Sequence, residues 1–186
     1  MDEEAELFRR QLDEEMAKVP LKLLGIRGWT EADQSNDLGV YDDLIVSFVD
    51  DKVTKFTASV DPGWHWIKNP MKEYCAQLVE GVHKFTLGVH QGNPALVQAE
   101  NFHVHRLDKE GKVVKEECGM FELNLHSGGP GVEVGCYSAG CQVIACPEGY
   151  FGKTWRDFFD PIEDAMYRYD QDMVPYKLVR RADMVP

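Results

Sequence analysis

The chain has 186 residues, 44% of them hydrophobic, and a formal charge of -12 from 20 basic and 32 acidic residues. That length suits one domain with short terminal additions, and the composition supplies a core, which excludes global disorder. The acidic balance, with its basic residues scattered, argues against nucleic acid as the partner, because a phosphate-tracking protein needs a basic face.

Residues 2–18 predict an amphipathic helix. Phe8, Leu12, Met16 and Val19 recur at three- and four-residue steps, and Pro20 ends the pattern. The first residues, Met1-Asp2-Glu3-Glu4, carry neither the positive charge nor the apolar run of a secretory signal. No stretch approaches about 18 apolar residues, so no membrane span is expected. The expected location is therefore the cytoplasm as synthesised, unless something other than a signal peptide exports the chain. Cysteines stand at Cys75, Cys118, Cys136, Cys141 and Cys146, an odd number for which free thiols are the expectation.

From residue 22 the pattern turns β-like. Leu44 to Val49 and Val53 to Val60 predict a hairpin around Asp50-Asp51-Lys52, and Asp61-Pro62-Gly63 ends its second strand. Further strands are expected at 81–88, 94–99 and 102–107. Asp108-Lys109-Glu110-Gly111 reads as a turn before a strand at 112–115. Residues 120–126 and 141–146 read as the last two core strands, joined by a glycine-rich loop over 127–135. Residues 154–169 predict one or two short helices broken at Asp160-Pro161. Lys177, Arg180 and Arg181 read as a solvated tail tip. The fold class expected is mainly β (a β-rich α+β domain), with an N-terminal helix over 1–20, a central domain over 21–160 and a helical C-terminal extension over 161–186.

The chemistry concentrates between Asn124 and Gln142. A histidine, His126, is followed by a flexible loop and then by Cys141, which directly follows the small-residue turn Ser138-Ala139-Gly140. A thiol becomes a strong nucleophile once an adjacent imidazole takes its proton, and backbone N–H groups in a tight turn can hold the negative charge of an acyl step. Other readings of the same residues fail on their requirements. An esterase needs Gly-x-Ser-x-Gly, but Cys136 stands where the first glycine belongs, and Gly128-Gly129-Pro130-Gly131 lacks the Gly-Lys-Ser/Thr of a phosphate loop. A cysteine phosphatase needs an arginine six residues after its cysteine, where Cys141 has Pro147. His103 and His105 share one strand face, but no Cys-x-x-Cys accompanies them, so neither a metal nor any other cofactor is expected. Trp64-His65-Trp66 reads as a packed aromatic cluster, with stacking on sugar rings as the alternative. Cys75, Cys118 and Cys146 read as small buried hydrophobes. Cys136 reads either as an ordinary loop residue or as a reversible disulfide partner of Cys141.

His126 followed by Ser138-Ala139-Gly140-Cys141-Gln142, with Glu80-Gly81-Val82-His83-Lys84-Phe85, Gly88-Val89-His90-Gln91-Gly92 and Asp61-Pro62-Gly63 upstream, resembles the L,D-transpeptidases (the YkuD-type catalytic domain). It resembles most a divergent branch from bacteria and phages, and the likeness spans roughly residues 38–146. The resemblance implies an L,D-transpeptidase-like β-sandwich or barrel in which Cys141 is the nucleophile and His126 its base. It also implies that the Ser127 carbonyl orients the imidazole and that amides around Gly140 and Cys141 form the oxyanion site. Flanking residues Tyr137, Ser138 and Gln142, with His90, are the implied substrate contacts, and the implied partner is a peptidoglycan stem peptide. Three departures stand out. Ala139 replaces the family's second histidine, the spacer after His126 is shorter, and Gln142-Val143 replace the basic residue after the cysteine. A wall-peptide-binding module and a cysteine peptidase or amidase of another peptide remain open as alternatives.

Overall fold

The computed structural model describes residues 3–30, 33 and 35–185. Two short helices, α1 (Glu3–Arg10) and α2 (Glu14–Lys18), open the chain where one was expected. Leu12 and Asp13 lie between them, and Phe8 and Met16 are buried as the apolar spacing required.

The strands of the main sheet are β1 (Leu21–Arg27), β2 (Asp43–Val49), β3 (Lys52–Ser59), β5 (Gly81–His90), β6 (Asn93–Gln98), β9 (Leu125–Ser127), β10 (Gln142–Ile144) and β11 (Val174–Arg180). They close into a barrel in the order β1-β11-β5-β6-β9-β10-β3-β2. Closure leaves this sheet without a free edge. A second sheet of β4 (Cys75–Leu78), β7 (Phe102–Leu107) and β8 (Val113–Gly119) lies in the order β4-β7-β8. The protein is therefore mainly β, as composition and turn spacing indicated. Among the described residues no helix is long and apolar enough to cross a membrane.

Hairpin turns explain the register. Gln91 and Gly92 both adopt positive φ, 50° and 82°, between the paired residues His90 and Asn93. A two-residue loop with that backbone matches the right-handed twist of its strands. After β7, Asp108 Oδ1 accepts from the amides of Glu110 and Lys112, at 3.0 and 2.8 Å, and fixes the turn into β8.

Two segments differ from the reading of the sequence. Beyond the short α3 (Trp64–Lys68), the helix α4 runs unbroken from Lys153 to Tyr169 with Pro161 inside it. Pro161 and Asp157, whose carbonyl loses its partner, both face solvent, so water satisfies the orphaned acceptor. The opposite face, Trp155, Phe158, Phe159, Ile162, Ala165 and Met166, packs into the barrel core, with Phe158 edge-on to Phe56 at 5.1 Å. Beyond it, the tail supplies β11, which pairs parallel with β1 and antiparallel with β5. Its cations are engaged rather than free: Lys177 meets Asp13 at 2.5 Å, Arg180 meets Glu80 at 2.6 Å, and Arg181 bonds the Trp29 carbonyl. Tyr176 of β11 fills the barrel interior so closely that a Cβ on Gly25 of β1 would lie 1.9 Å from its hydroxyl.

Candidate active site

The glycine-rich loop is a crossover. β9 and β10 are parallel neighbours, with Leu125 opposite Gln142 and His126 opposite Val143. Parallel strands cannot be joined by a tight turn, and residues 128–141 provide the longer connection. This pairing brings Cys141, just before β10, beside Asn124 and His126. The loop is pinned as it returns. The Gly128 amide bonds the Ile144 carbonyl at 2.7 Å, and the Gly129 amide bonds the Tyr41 hydroxyl at 2.9 Å. A Cβ on Gly128 would meet that hydroxyl at 2.4 Å, so the close approach requires glycine.

One ring nitrogen each of His90 and His126 and the sulfur of Cys141 lie within 4.8 Å of one another. His126 is only 2% exposed and Cys141 6%. The Nδ1 of His126 is 2.7 Å from the Ser127 carbonyl, which can only accept, so Nδ1 carries the proton and Nε2 presents its lone pair. That Nε2 is buried and has no hydrogen-bond partner among the described residues. Ser127 is itself fixed, its Oγ accepting from the Phe151 amide at 2.8 Å.

The sulfur is close to the imidazole but is hydrogen-bonded elsewhere. Cys141 Sγ donates to the Glu122 carbonyl at 3.6 Å and accepts from the Asn124 amide at 3.4 Å. Glu122 has a φ of 58°, a left-handed backbone unusual for its type, and this aims its carbonyl at the sulfur. Burial raises the Cys141 thiol to about 11, the Asn124 amide opposing and the Glu122 charge adding to the shift. Burial, and then the neighbouring His90, lowers His126 to about 4. At rest the couple is a neutral thiol beside a neutral imidazole.

Cys141, His90, Asn124 and Tyr137 line a cleft of roughly 600 Å³ together with Trp66, Phe121 and Glu122. A second lobe of roughly 400 Å³, which reaches Lys72, Tyr74 and Arg106, shares Trp66, Met71, Phe121 and Ala139 with the first. Together they offer room for a short peptide. His126 lies behind the wall, its ring stacked on that of His90 with centroids 4.3 Å apart and planes at 16°.

The expected residues divide into three groups. His90, Tyr137 and Cys141 face the cleft, and His126 and Ser127 support them from behind. Ser138 and Gln142, expected as substrate contacts, are wholly buried and line neither lobe of the cleft. Ser138 Oγ donates to the Cys141 carbonyl at 2.7 Å and accepts from the Gly140 amide at 3.1 Å, which ties the turn. The Gly140 amide is thereby removed from the expected oxyanion site, while that of Cys141 takes no part in these turn bonds. Gly140 has a φ of +124°, and a Cβ there would lie 2.5 Å from the Ala76 carbonyl, so only glycine fits. Gln142 points into the barrel, accepting from the Tyr176 hydroxyl at 3.0 Å and donating to the Gly140 carbonyl at 3.3 Å. It braces the turn from inside.

Among the cysteines, Cys75 and Cys146 are buried as expected, but Cys118 is exposed on β8, whose residues mostly face solvent. Cys136 is exposed and lines the cleft, its carbonyl accepting from Trp66 Nε1 at 2.8 Å. Trp66 thus belongs to the cleft wall, whereas His103 is exposed and His105 meets Glu116 at 3.2 Å at the surface. Asn124, the first residue of the chemistry-bearing stretch, has no role in the reading of the sequence, yet its side chain meets His90 and its amide meets the Cys141 sulfur. It sits two residues before His126, and period-two alternation puts both on one strand face, which is the signal that could have found it.

The three donor atoms are near enough together for one soft metal ion. Stacked imidazoles, however, send their in-plane lone pairs along separate lines, and His90 Nδ1 already faces the Asn124 amide nitrogen at 2.9 Å. The arrangement suits proton transfer and hydrogen-bond donation better. The chain matches no protein-family model, no curated protein and no solved structure, so the functional reading rests on this geometry and on the motifs that resemble the L,D-transpeptidases.

Proposed function

We propose that this chain is a cysteine acyl-transfer enzyme in which Cys141 attacks a peptide carbonyl and His126 takes its proton. One observation carries this reading. His126, whose tautomer is fixed, keeps one buried ring nitrogen without a partner, and a nitrogen of that ring lies within 4.8 Å of the sulfur of a thiol that lines a cleft. An unpartnered buried acceptor costs about 1–3 kcal/mol, and transfer of the thiol proton to that nitrogen removes the deficit. The resting hydrogen bond from Cys141 to Glu122 is broken by rotation of the thiol as substrate enters. The neutral thiol and imidazole then exchange the proton in concert with attack, rather than standing as an ion pair beforehand.

The substrate class we propose is the peptidoglycan stem peptide, cleaved or transferred as by an L,D-transpeptidase or an L,D-carboxy- or endopeptidase. Its support is the resemblance of the motifs and the two-lobed, partly aromatic cleft. The reading requires export or release at lysis, because that polymer lies outside the cytosol. Incubation of the full chain with purified muropeptides, followed by intact-mass and product analysis, tests it. Wild type should gain an acyl adduct or release product, and Cys141→Ala should do neither. The second reading, a wall-peptide-binding module without turnover, draws on the neutral, hydrogen-bonded thiol. In the same assay it would show retention of muropeptide with no adduct and no product.

A further inference from the structure

The least explained member of the site is His90, the one imidazole that lines the cleft. Its tautomer is fixed by a chain of hydrogen bonds. The Gln98 amide donates to Asn124 Oδ1 at 3.0 Å, which identifies the oxygen end of that side chain. The nitrogen end therefore faces His90, 2.9 Å from its Nδ1. An amide nitrogen only donates, so Nδ1 accepts, and in the neutral ring the proton sits on Nε2. Burial lowers the His90 pKa, which keeps the ring neutral near pH 7. The two stacked rings thus hold opposite tautomers. His126 offers a lone pair, and His90 offers an N–H.

An acyl step needs both, since the thiol gives up a proton while the carbonyl oxygen gains negative charge. The donor commonly expected from the turn is missing here, because the Gly140 amide is bonded to Ser138 Oγ. His90 lines the cleft and His126 does not. We propose that the Nε2–H of His90, with the Cys141 amide, donates to the carbonyl oxygen of the substrate and so forms the oxyanion site. This deepens the acyl-transfer reading and rests on it.

The step balances without any outside reagent. The Cys141 proton passes to His126 Nε2 as the S–C bond forms and the carbonyl π pair moves onto oxygen. That pair returns as the C–N bond breaks, and the amine leaves with the proton from His126. Water or a second amine then attacks the thioester, loses its proton to His126, and the thiol is restored. His90 keeps its own proton throughout.

The test compares two reactions at one sulfur. Acylation, by a muropeptide or by a carbapenem, builds an oxyanion, whereas alkylation by iodoacetamide builds none. Acylation is followed by intact mass and alkylation by peptide mass mapping at Cys141, on wild type, His90→Leu and His90→Gln, with folding checked by thermal melting. His90→Leu should lower the acylation rate about a hundredfold while alkylation of Cys141 is unchanged. His90→Gln, which restores a side-chain N–H, should recover part of the loss. Equal acylation of His90→Leu and wild type overturns the assignment. A parallel fall in both reactions also overturns it, because that marks a packing role against His126. If wild-type Cys141 is alkylated but neither probe acylates it, the acyl-transfer reading itself fails and takes this assignment with it.

Discussion

The neutral state of His126 has a thermodynamic signature. Its pKa is about 4 in the folded protein against an ordinary value of 6.5, with burial the main cause. As pH falls, the unfolded chain takes up this proton first, so acid favours unfolding. The stability that the neutral ring contributes is complete above about pH 6.5 and is lost progressively towards pH 4. At about 1.36 kcal/mol per pKa step, the displacement corresponds to about 3 kcal/mol. The wild-type curve alone is composite. Burial lowers His83 and His90 in the same sense, while it raises Asp42 to about 6 and raises Asp43, and these carboxyls lose stability as pH rises through the same window. His126→Asn isolates the group, since its amide can reach the Ser127 carbonyl but does not titrate. Urea midpoints of both proteins, measured from about pH 7.5 to 4.5, should show wild type losing about 2–3 kcal/mol more than the variant. A difference that stays flat across that range would refute the neutral couple, because it would mean that His126 is charged or solvated in the native state.

Three further outcomes follow from the same geometry. Iodoacetamide near neutral pH should modify exposed Cys118 and Cys136 before Cys141, and the Cys141 rate should climb with pH towards its raised value of about 11, as read by peptide mass mapping. Gly140→Ala must fit a Cβ 2.5 Å from the Ala76 carbonyl at a φ of +124°, so it should cost about 2–4 kcal/mol in chemical unfolding and abolish acylation. Tyr176→Phe leaves Gln142 Oε1 without its donor inside the barrel and should cost about 1–2 kcal/mol, while acylation slows and iodoacetamide alkylation does not.

The elements that obey a local rule were legible. The turn at Asp108 follows from residue type, and β7 has the expected bounds, Phe102–Leu107. Failures arose where burial on both faces or tertiary cover erased the pattern. β1 is buried at every position, Leu21 and Leu23 facing the barrel and Leu24 and Ile26 facing α1, so no alternation marks it. β11 was hidden by its cations, which look like a tail until Asp13, Glu80 and Trp29 are seen beside them. Pro161 was a misleading breaker because the exposed face of an amphipathic helix tolerates a lost hydrogen bond. In the site, a histidine followed by a flexible loop and a small-residue turn into Cys141 pointed to the pair that the structure brings together. The duties of Ser138 and Gln142 depend on which way each side chain points, and the backbone of Glu122 follows from how the chain reaches β9.

The distribution of local costs argues for a working site at this place. Around Cys141 the chain accepts a left-handed Glu122, a buried His126 nitrogen without a partner, and a thiol taken almost wholly out of water. The left-handed Glu122 and the unpartnered nitrogen are each unfavourable by about 1–3 kcal/mol, and a barrel selected for stability alone would replace them. The surroundings hold them in place instead: Ser127 and Phe151 fix the imidazole, Ser138 and Gln142 fix the turn, and Gln98 and Asn124 fix His90. Under the proposed function such supports are preorganisation, in which folding orients the proposed base and donor before substrate arrives, so that little reorganisation is left for the chemical step.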